Sequence, residues 1–153
     1  MKFESADEIL DFAIGKEEEA AQFYINLAKK MAPPNMKEVF EEFAQEEKKH
    51  KEKLLLVKSG HKLLLTSEKV PDLKIGDTLL AVDTTVDVSD ISYQEALIIA
   101  MKAEKAAFKL YHDLAQTTKD AELKNLFLSL AQEEAKHKLR FEIEYDDNIL
   151  IEG

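Results

Sequence analysis

With 153 residues, 45% of them hydrophobic, the chain has room for one domain of ordinary size built around one helical core. Its formal charge of -10, from 31 acidic against 21 basic residues, would repel a phosphate backbone and argues against nucleic acid as a partner. The absence of cysteine excludes a disulfide framework, a thiolate metal site, a cysteine nucleophile and an iron-sulfur module built on four cysteines.

The opening MKFESADEILDF has neither a basic leader nor an apolar run, and nothing later approaches the roughly 20 apolar residues needed to cross a bilayer. The expectation is a soluble, cytoplasmic protein with no membrane partner. Ser5 with Glu8 makes a capping-box start for a first helix, predicted over about residues 5–31, which Pro33 and Pro34 stop. Its buried seam reads Leu10, Ala13, Glu17, Ala20, Tyr24, Leu27, Met31, so one carboxylate stands where the pattern asks for an apolar side chain. Asn35 caps a second helix, over about 35–58, with Glu38 at its third position and Ser59-Gly60 at its end. Its seam runs Phe40, Phe43, Glu47, His50, Leu54, Val57 and is interrupted by a Glu-x-x-His pair. The Lys48, Lys49, Lys51, Lys53 run follows acidic residues and reads as a solvated, salt-bridged helix face.

Over about residues 59–91 helical periodicity is lost, Pro71 and Gly76 appear, and apolar anchors such as Leu73, Ile75, Leu79, Val82 and Val86 are scattered. This is expected to be an ordered crossover packed back on the bundle, long enough to let the third helix run parallel to the second. Ser92 with Glu95 opens that third helix, over about 92–116, whose seam Leu97, Ala100, Glu104, Ala107, Tyr111, Leu114 again holds one carboxylate. A short turn capped by Asp120 or Thr118 leads to a fourth helix, over about 120–147, with the seam Phe127, Leu130, Glu134, His137, Phe141. The tail NILIEG carries aliphatic residues suited to docking on the bundle or on another subunit.

These interruptions are in register. Glu17 and Glu104, Glu47 and Glu134, and His50 and His137 are each separated by 87 residues, and at that offset Tyr24 meets Tyr111 and Gln45-Glu46 meets Gln132-Glu133. The chain is a diverged tandem repeat of helical hairpins, each bringing Glu on its first helix and Glu-x-x-His on its second. Short turns make each hairpin antiparallel, so the predicted fold is an all-α antiparallel four-helix bundle with one long crossover between the second and third helices.

Glu17, Glu47, His50, Glu104, Glu134 and His137 then converge. Residues three apart on a helix point the same way, so each Glu-x-x-His can offer an oxygen and a nitrogen to one centre. Four buried carboxylates would repel one another and push some pKa values upward, whereas two divalent cations would neutralise them. Oxygen-rich coordination with one imidazole per metal suits iron or manganese rather than a structural zinc, and the zincin sequence HExxH is absent. Glu47 and Glu134 are expected to bridge two iron ions, with Glu17 and His50 completing one and Glu104 and His137 the other, the ions lying about 3.5 to 4 Å apart.

The order Glu, Glu-x-x-His, Glu, Glu-x-x-His resembles that of ferritin-like, rubrerythrin-type di-iron carboxylate proteins. The resemblance spans all four helices and implies that Glu17 and Glu104 are terminal carboxylates, Glu47 and Glu134 bridging carboxylates, and His50 and His137 the imidazole ligands. Two departures stand out. Peroxide-reducing rubrerythrins usually carry a further glutamate three residues after the third-helix ligand, where this chain has Ala107, and a cysteine-ligated rubredoxin-like donor, for which it has no cysteines. Electrons must then come from an external donor.

Tyr24 and Tyr111 each stand seven residues after a candidate ligand glutamate, on the same face. Beside ordinary core filling, they are candidate catalytic groups that hydrogen-bond a ligand carboxylate or relay charge. Ala20 and Ala107, one turn from the same glutamates, leave space for dioxygen or hydrogen peroxide. The leading functional expectation is a di-iron oxidoreductase using an external electron donor, assembled as a homodimer or larger homo-oligomer. Ferroxidase or iron-storage activity, and a non-catalytic metal-stabilised scaffold, are the alternatives.

Overall fold

The computed structural model describes residues 6–30, 34–60 and 91–147. They form four helices: α1 (Ala6–Lys30), α2 (Pro34–Gly60), α3 (Tyr93–Thr117) and α4 (Ala121–Tyr145). The ends fall within two residues of the periodicity-based bounds. The clearest shift is at α2, which begins on Pro34 rather than after an Asn35 cap. Proline suits a first helical turn, because its missing N–H has no partner there anyway and its φ is already helical. The Ser5 cap, the 61–90 crossover and the NILIEG tail lie outside the described residues.

Both caps of the second half are explicit. Ser92 accepts a hydrogen bond from the Glu95 N–H at 3.0 Å. Asp120 accepts from the N–H groups of Glu122 at 2.8 Å and Leu123 at 3.3 Å. These groups have no intrahelical acceptor, so Asp120→Ala should cost about 1 kcal/mol of stability. Thermal unfolding of that variant should show a midpoint lower by about 2 to 4 °C; an unchanged midpoint would mean that solvent serves the turn equally well.

Cross-helix contacts set the order around the bundle. Within the first hairpin, Lys58 reaches Asp11 at 2.5 Å and Lys51 pairs with Glu18. Within the second, Tyr93 donates to Glu144 at 2.8 Å and Gln94 to Tyr145 at 3.0 Å. Between hairpins, α1 meets α3 through Tyr24–Glu104 and Tyr111–Glu17, and α2 meets α4 through His50–Glu133 and His137–Glu46. In the first, third and fourth of these pairings the residue numbers run in opposite senses, and the short turn from Thr117 to Ala121 reverses the chain between α3 and α4, so all four neighbours are antiparallel, the circuit is α1–α2–α4–α3, and α2 and α3 run parallel. The end of α2 lies beside Asp11, whereas Ile91, just before α3, accepts from Lys30 at 2.9 Å at the other end of α1. The 61–90 segment thus joins opposite ends of a bundle roughly 40 Å long at ~1.5 Å per residue.

The core has two apolar parts. One is largely aliphatic and gathers Ile9, Leu10, Leu54, Leu110, Leu114, Leu123 and Leu130 with Tyr111 and Phe127. The other is rich in rings, with Phe23, Tyr24, Phe40, Phe43 and Phe141. Between them lies a polar layer supplied by all four helices. No helix among the described residues is long and apolar enough to cross a membrane.

Candidate metal centre

Every polar interruption of the apolar seams arrives in this layer. Glu17 comes from α1, Glu47 and His50 from α2, Glu104 from α3, and Glu134 and His137 from α4; none is more than 3% exposed. Removing four carboxyl groups and two imidazoles from water is costly unless each finds a partner. The partners are arranged with an internal two-fold that follows the 87-residue repeat.

Each tyrosine crosses to the other hairpin. The Tyr24 hydroxyl donates to Glu104 Oε1, and its repeat counterpart Tyr111 donates to Glu17 Oε1. The remaining oxygens, Oε2 of Glu17 and Glu104, are left facing inward. The imidazoles behave alike. Nε2 of His50 pairs with Glu133, and Nε2 of His137 with Glu46, so the nitrogen turned to the centre is Nδ1 in both. His50 Nδ1 lies 2.9 Å from Glu134 Oε1 and 3.6 Å from Glu17 Oε2; His137 Nδ1 lies 3.2 Å from Glu47 Oε1 and 3.5 Å from Glu104 Oε1.

Six buried polar atoms in this layer lack a hydrogen-bond partner of acceptable geometry: Glu17 Oε2, Glu47 Oε1, His50 Nδ1, Glu104 Oε2, Glu134 Oε1 and His137 Nδ1. A core would not ordinarily leave so many such atoms unmatched in one place. They fall into two overlapping sets, Glu17, Glu47, His50, Glu134 and Glu47, Glu104, Glu134, His137, whose donor atoms lie within 4.8 Å of one another. Each set could hold one metal ion, and Glu47 and Glu134 are common to both. The donors are oxygen and imidazole nitrogen only, a composition that fits iron or manganese.

The electrostatics report the same crowding. Burial raises the Glu47 carboxyl well above its usual range, helped by the charges of Glu134 and Glu17. Burial does the same to Glu134, with Glu104 and Glu17 adding repulsion. For Glu104 burial also acts upward, but the adjacent His137 imidazole and the hydrogen bond from Tyr24 help outweigh it and hold the carboxyl down. Burial pulls the His50 imidazole down, and the Glu134 and Glu17 carboxylates more than reverse that, pushing it up to about 11. Both imidazoles are therefore held in a strongly negative surrounding, which favours a cation at the centre. Burial and adjacent carboxylates raise both tyrosines well above their ordinary value, so each stays a neutral donor.

Beside the four carboxylates lies a cavity of about 30 Å³, walled by Ala13, Ala20, Ala103, Ala107, Leu110 and Tyr111, with Lys16 at its edge. One water needs ~10–15 Å³, so a molecule of the size of dioxygen or hydrogen peroxide can be held there. Neither histidine lines it. The cavity opens between α1 and α3, and the imidazoles sit on the α2–α4 side.

All six residues picked out by the seam pattern are brought together, and both tyrosines touch a carboxylate of the cluster. Two participants were missed as functional: Glu46 and Glu133, which orient the imidazoles. Their signal was present, since the 87-residue offset pairs them in the same Gln-Glu-Glu context. The tyrosines' partners, on the opposite hairpin rather than on their own helix, left no mark in the sequence.

The sequence model of the rubrerythrin family matches residues 8–145. Among solved structures, a hypothetical protein from Pyrococcus furiosus is similar at 28% identity and a TM-score of 0.70, over 94% of this chain and 89% of that one. A protein from Thermotoga maritima described as a ferritin-like diiron-carboxylate protein shares the fold at 22% identity and a TM-score of 0.70, over 97% of this chain and 96% of that one. No protein of curated function matches the chain significantly.

Proposed function

Since the chain belongs to the rubrerythrin family, we propose that it is a di-iron oxidoreductase that reduces hydrogen peroxide or dioxygen with electrons from an external donor. The observation that carries this reading is the set of six inward-facing buried donor atoms with no hydrogen bond of acceptable geometry, arranged as two groups sharing Glu47 and Glu134. Glu17 and His50 would hold one iron ion and Glu104 and His137 the other, with Glu47 and Glu134 between them. When bound, the two ferrous ions supply the electron pair that the oxidant takes up.

The chain's own groups bind, orient and exclude. Tyr24 and Tyr111 tie down Oε1 of Glu104 and Glu17, leaving Oε2 of each as the inward donor. Glu46 and Glu133 hold the imidazoles so that Nδ1 faces the centre. Alanines at 20 and 107 keep one side open to a small oxidant, and the apolar clusters above and below keep bulk water out. Reduction of one hydrogen peroxide to two waters consumes two electrons and two protons. No cysteine-ligated donor exists within these 153 residues, so another protein or a small reductant would supply the electrons. The protein would work in the cytoplasm as a homodimer or larger homo-oligomer.

The test is anaerobic loading with two ferrous ions per chain, stopped-flow mixing with each oxidant, turnover with a chemical donor, and particle size measured in parallel. Stoichiometric oxidation followed by many cycles per site from a small oligomer is expected. Uptake of iron far beyond two per chain into a large hollow particle would move the assignment to storage. A loaded site that stays ferrous through both oxidants would leave a metal-stabilised scaffold.

A further inference from the structure

The internal two-fold of the centre is broken around one imidazole. Phe43 lies face to face with His137, their ring centroids 3.9 Å apart and their planes 19° from parallel. Shifted by 87 residues, Phe43 becomes Leu130, which has no ring to offer His50. The layer behind repeats the bias. Phe43 packs edge-on against Phe141 at 5.4 Å and against Tyr24 at 6.3 Å, and the repeat counterpart of Phe141 is Leu54. The half of the centre holding Glu104 and His137 thus abuts a wall rich in rings, and the half holding Glu17 and His50 a largely aliphatic one in which Tyr111 and Phe127 stack on each other.

We propose that the two metal positions differ in affinity, the Glu104–His137 position filling before the Glu17–His50 position, and that Phe43 is the positioning residue that sets the order. This rests on reading the six residues as a two-metal site. Both imidazoles have Nε2 held by a carboxylate, so that contact cannot distinguish them. The ring of Phe43 adds a constraint on only one. It fixes the plane of His137, so less side-chain freedom is lost when Nδ1 takes a metal. Metal binding also draws electron density from the imidazole, and the negative face of the stacked phenyl ring stabilises the positive charge that results. Contacts between aromatic rings of this kind translate into roughly 2- to 12-fold in a binding constant. A second asymmetry, Lys16 in the cavity lining where the second half has Ala103, acts in the same direction by adding a cation to the α1 side that carries Glu17. It is weaker, because Lys16 is already paired with Glu19 at 3.1 Å and is partly solvated.

The experiment uses the full chain crystallised with one cobalt(II) ion per chain, with occupancies at the two positions read from anomalous scattering. With one ion per chain the two positions compete, so the occupancy ratio is about the square root of the affinity ratio, and the Glu104–His137 position should exceed the other by roughly 1.5- to 3.5-fold. Phe43→Leu, which makes the halves alike at this point, should bring the ratio near unity, and Leu130→Phe should lower it by offering His50 a ring. Circular dichroism identifies which variants fold, and the parent ratio is informative by itself if neither does. Equal or reversed occupancies in the parent, or a ratio unmoved in a folded Phe43→Leu protein, would overturn the inference while leaving the two-metal reading intact. Absence of cobalt from both positions would defeat that reading, and the inference with it.

Discussion

Replacing Glu134 or Glu47 by alanine should abolish metal binding at both positions and still leave a helical protein. Each of these carboxylates belongs to both donor sets, so one truncation removes an oxygen from two ions at once. Neither is well accommodated without a metal: burial and the neighbouring carboxylates raise both pKa values, the mark of a charge the protein holds at a cost. Removing one lowers the repulsion in the metal-free layer, and the apolar clusters on either side keep the helices packed. The parent, with free metal at about 100 times its dissociation constant, should gain ~2.7 kcal/mol, equivalent to roughly 5 to 10 °C in the melting midpoint. Melts with and without chelator should show that difference in the parent and none in Glu47→Ala or Glu134→Ala. Equal metal-dependent stabilisation in parent and variants would place the ligands elsewhere.

That such a variant can be chosen from sequence reflects how apolar periodicity works. A seam such as Phe127, Leu130, Phe141 fixes which face of a helix turns inward, so Glu134 and His137 on that face had to be buried together. The 87-residue repeat then supplied the second copy, and the two short turns supplied the antiparallel pairing. What periodicity cannot report is the identity of the side chain met across the core. Tyr24 was legible as an inward tyrosine, but its acceptor is Glu104, 80 residues away on another helix. The stacking of Phe43 on His137 was hidden for the same reason, because Phe43 reads as an ordinary apolar member of its seam. Glu46 and Glu133 escaped functional assignment because they sit at the edge of the buried face, where a carboxylate looks like ordinary surface charge. The Pro34 start of α2 was obscured by competing signals, since proline suits the first helical turn as readily as a preceding stop.

Glu133→Ala should weaken metal binding by about 10- to 100-fold with little loss of fold stability. Glu133 is 38% exposed on its side chain and contributes no apolar packing to the core, so truncation opens no cavity. Its carboxyl is nevertheless tied to the centre. Partial burial acts to raise its pKa, and the His50 contact more than reverses this, keeping it ionised as an acceptor for Nε2–H. Without that acceptor the imidazole is free to turn, or to carry its proton on Nδ1 where the metal should bind, and both alternatives must be undone on binding. Glu133→Gln keeps an acceptor oxygen of similar reach and should recover part of the loss. Glu18→Ala, which removes the surface partner of Lys51, provides the contrast: an exposed pair of this kind should change neither metal affinity nor stability by more than ~0.5 kcal/mol. Calorimetric titration with manganese(II) of the parent and these three variants, each with a chelator-treated melt, separates the cases. If Glu133→Ala binds as tightly as Glu18→Ala, the His50 ring is held by its packing alone. The carboxylate would then have no part in orienting it.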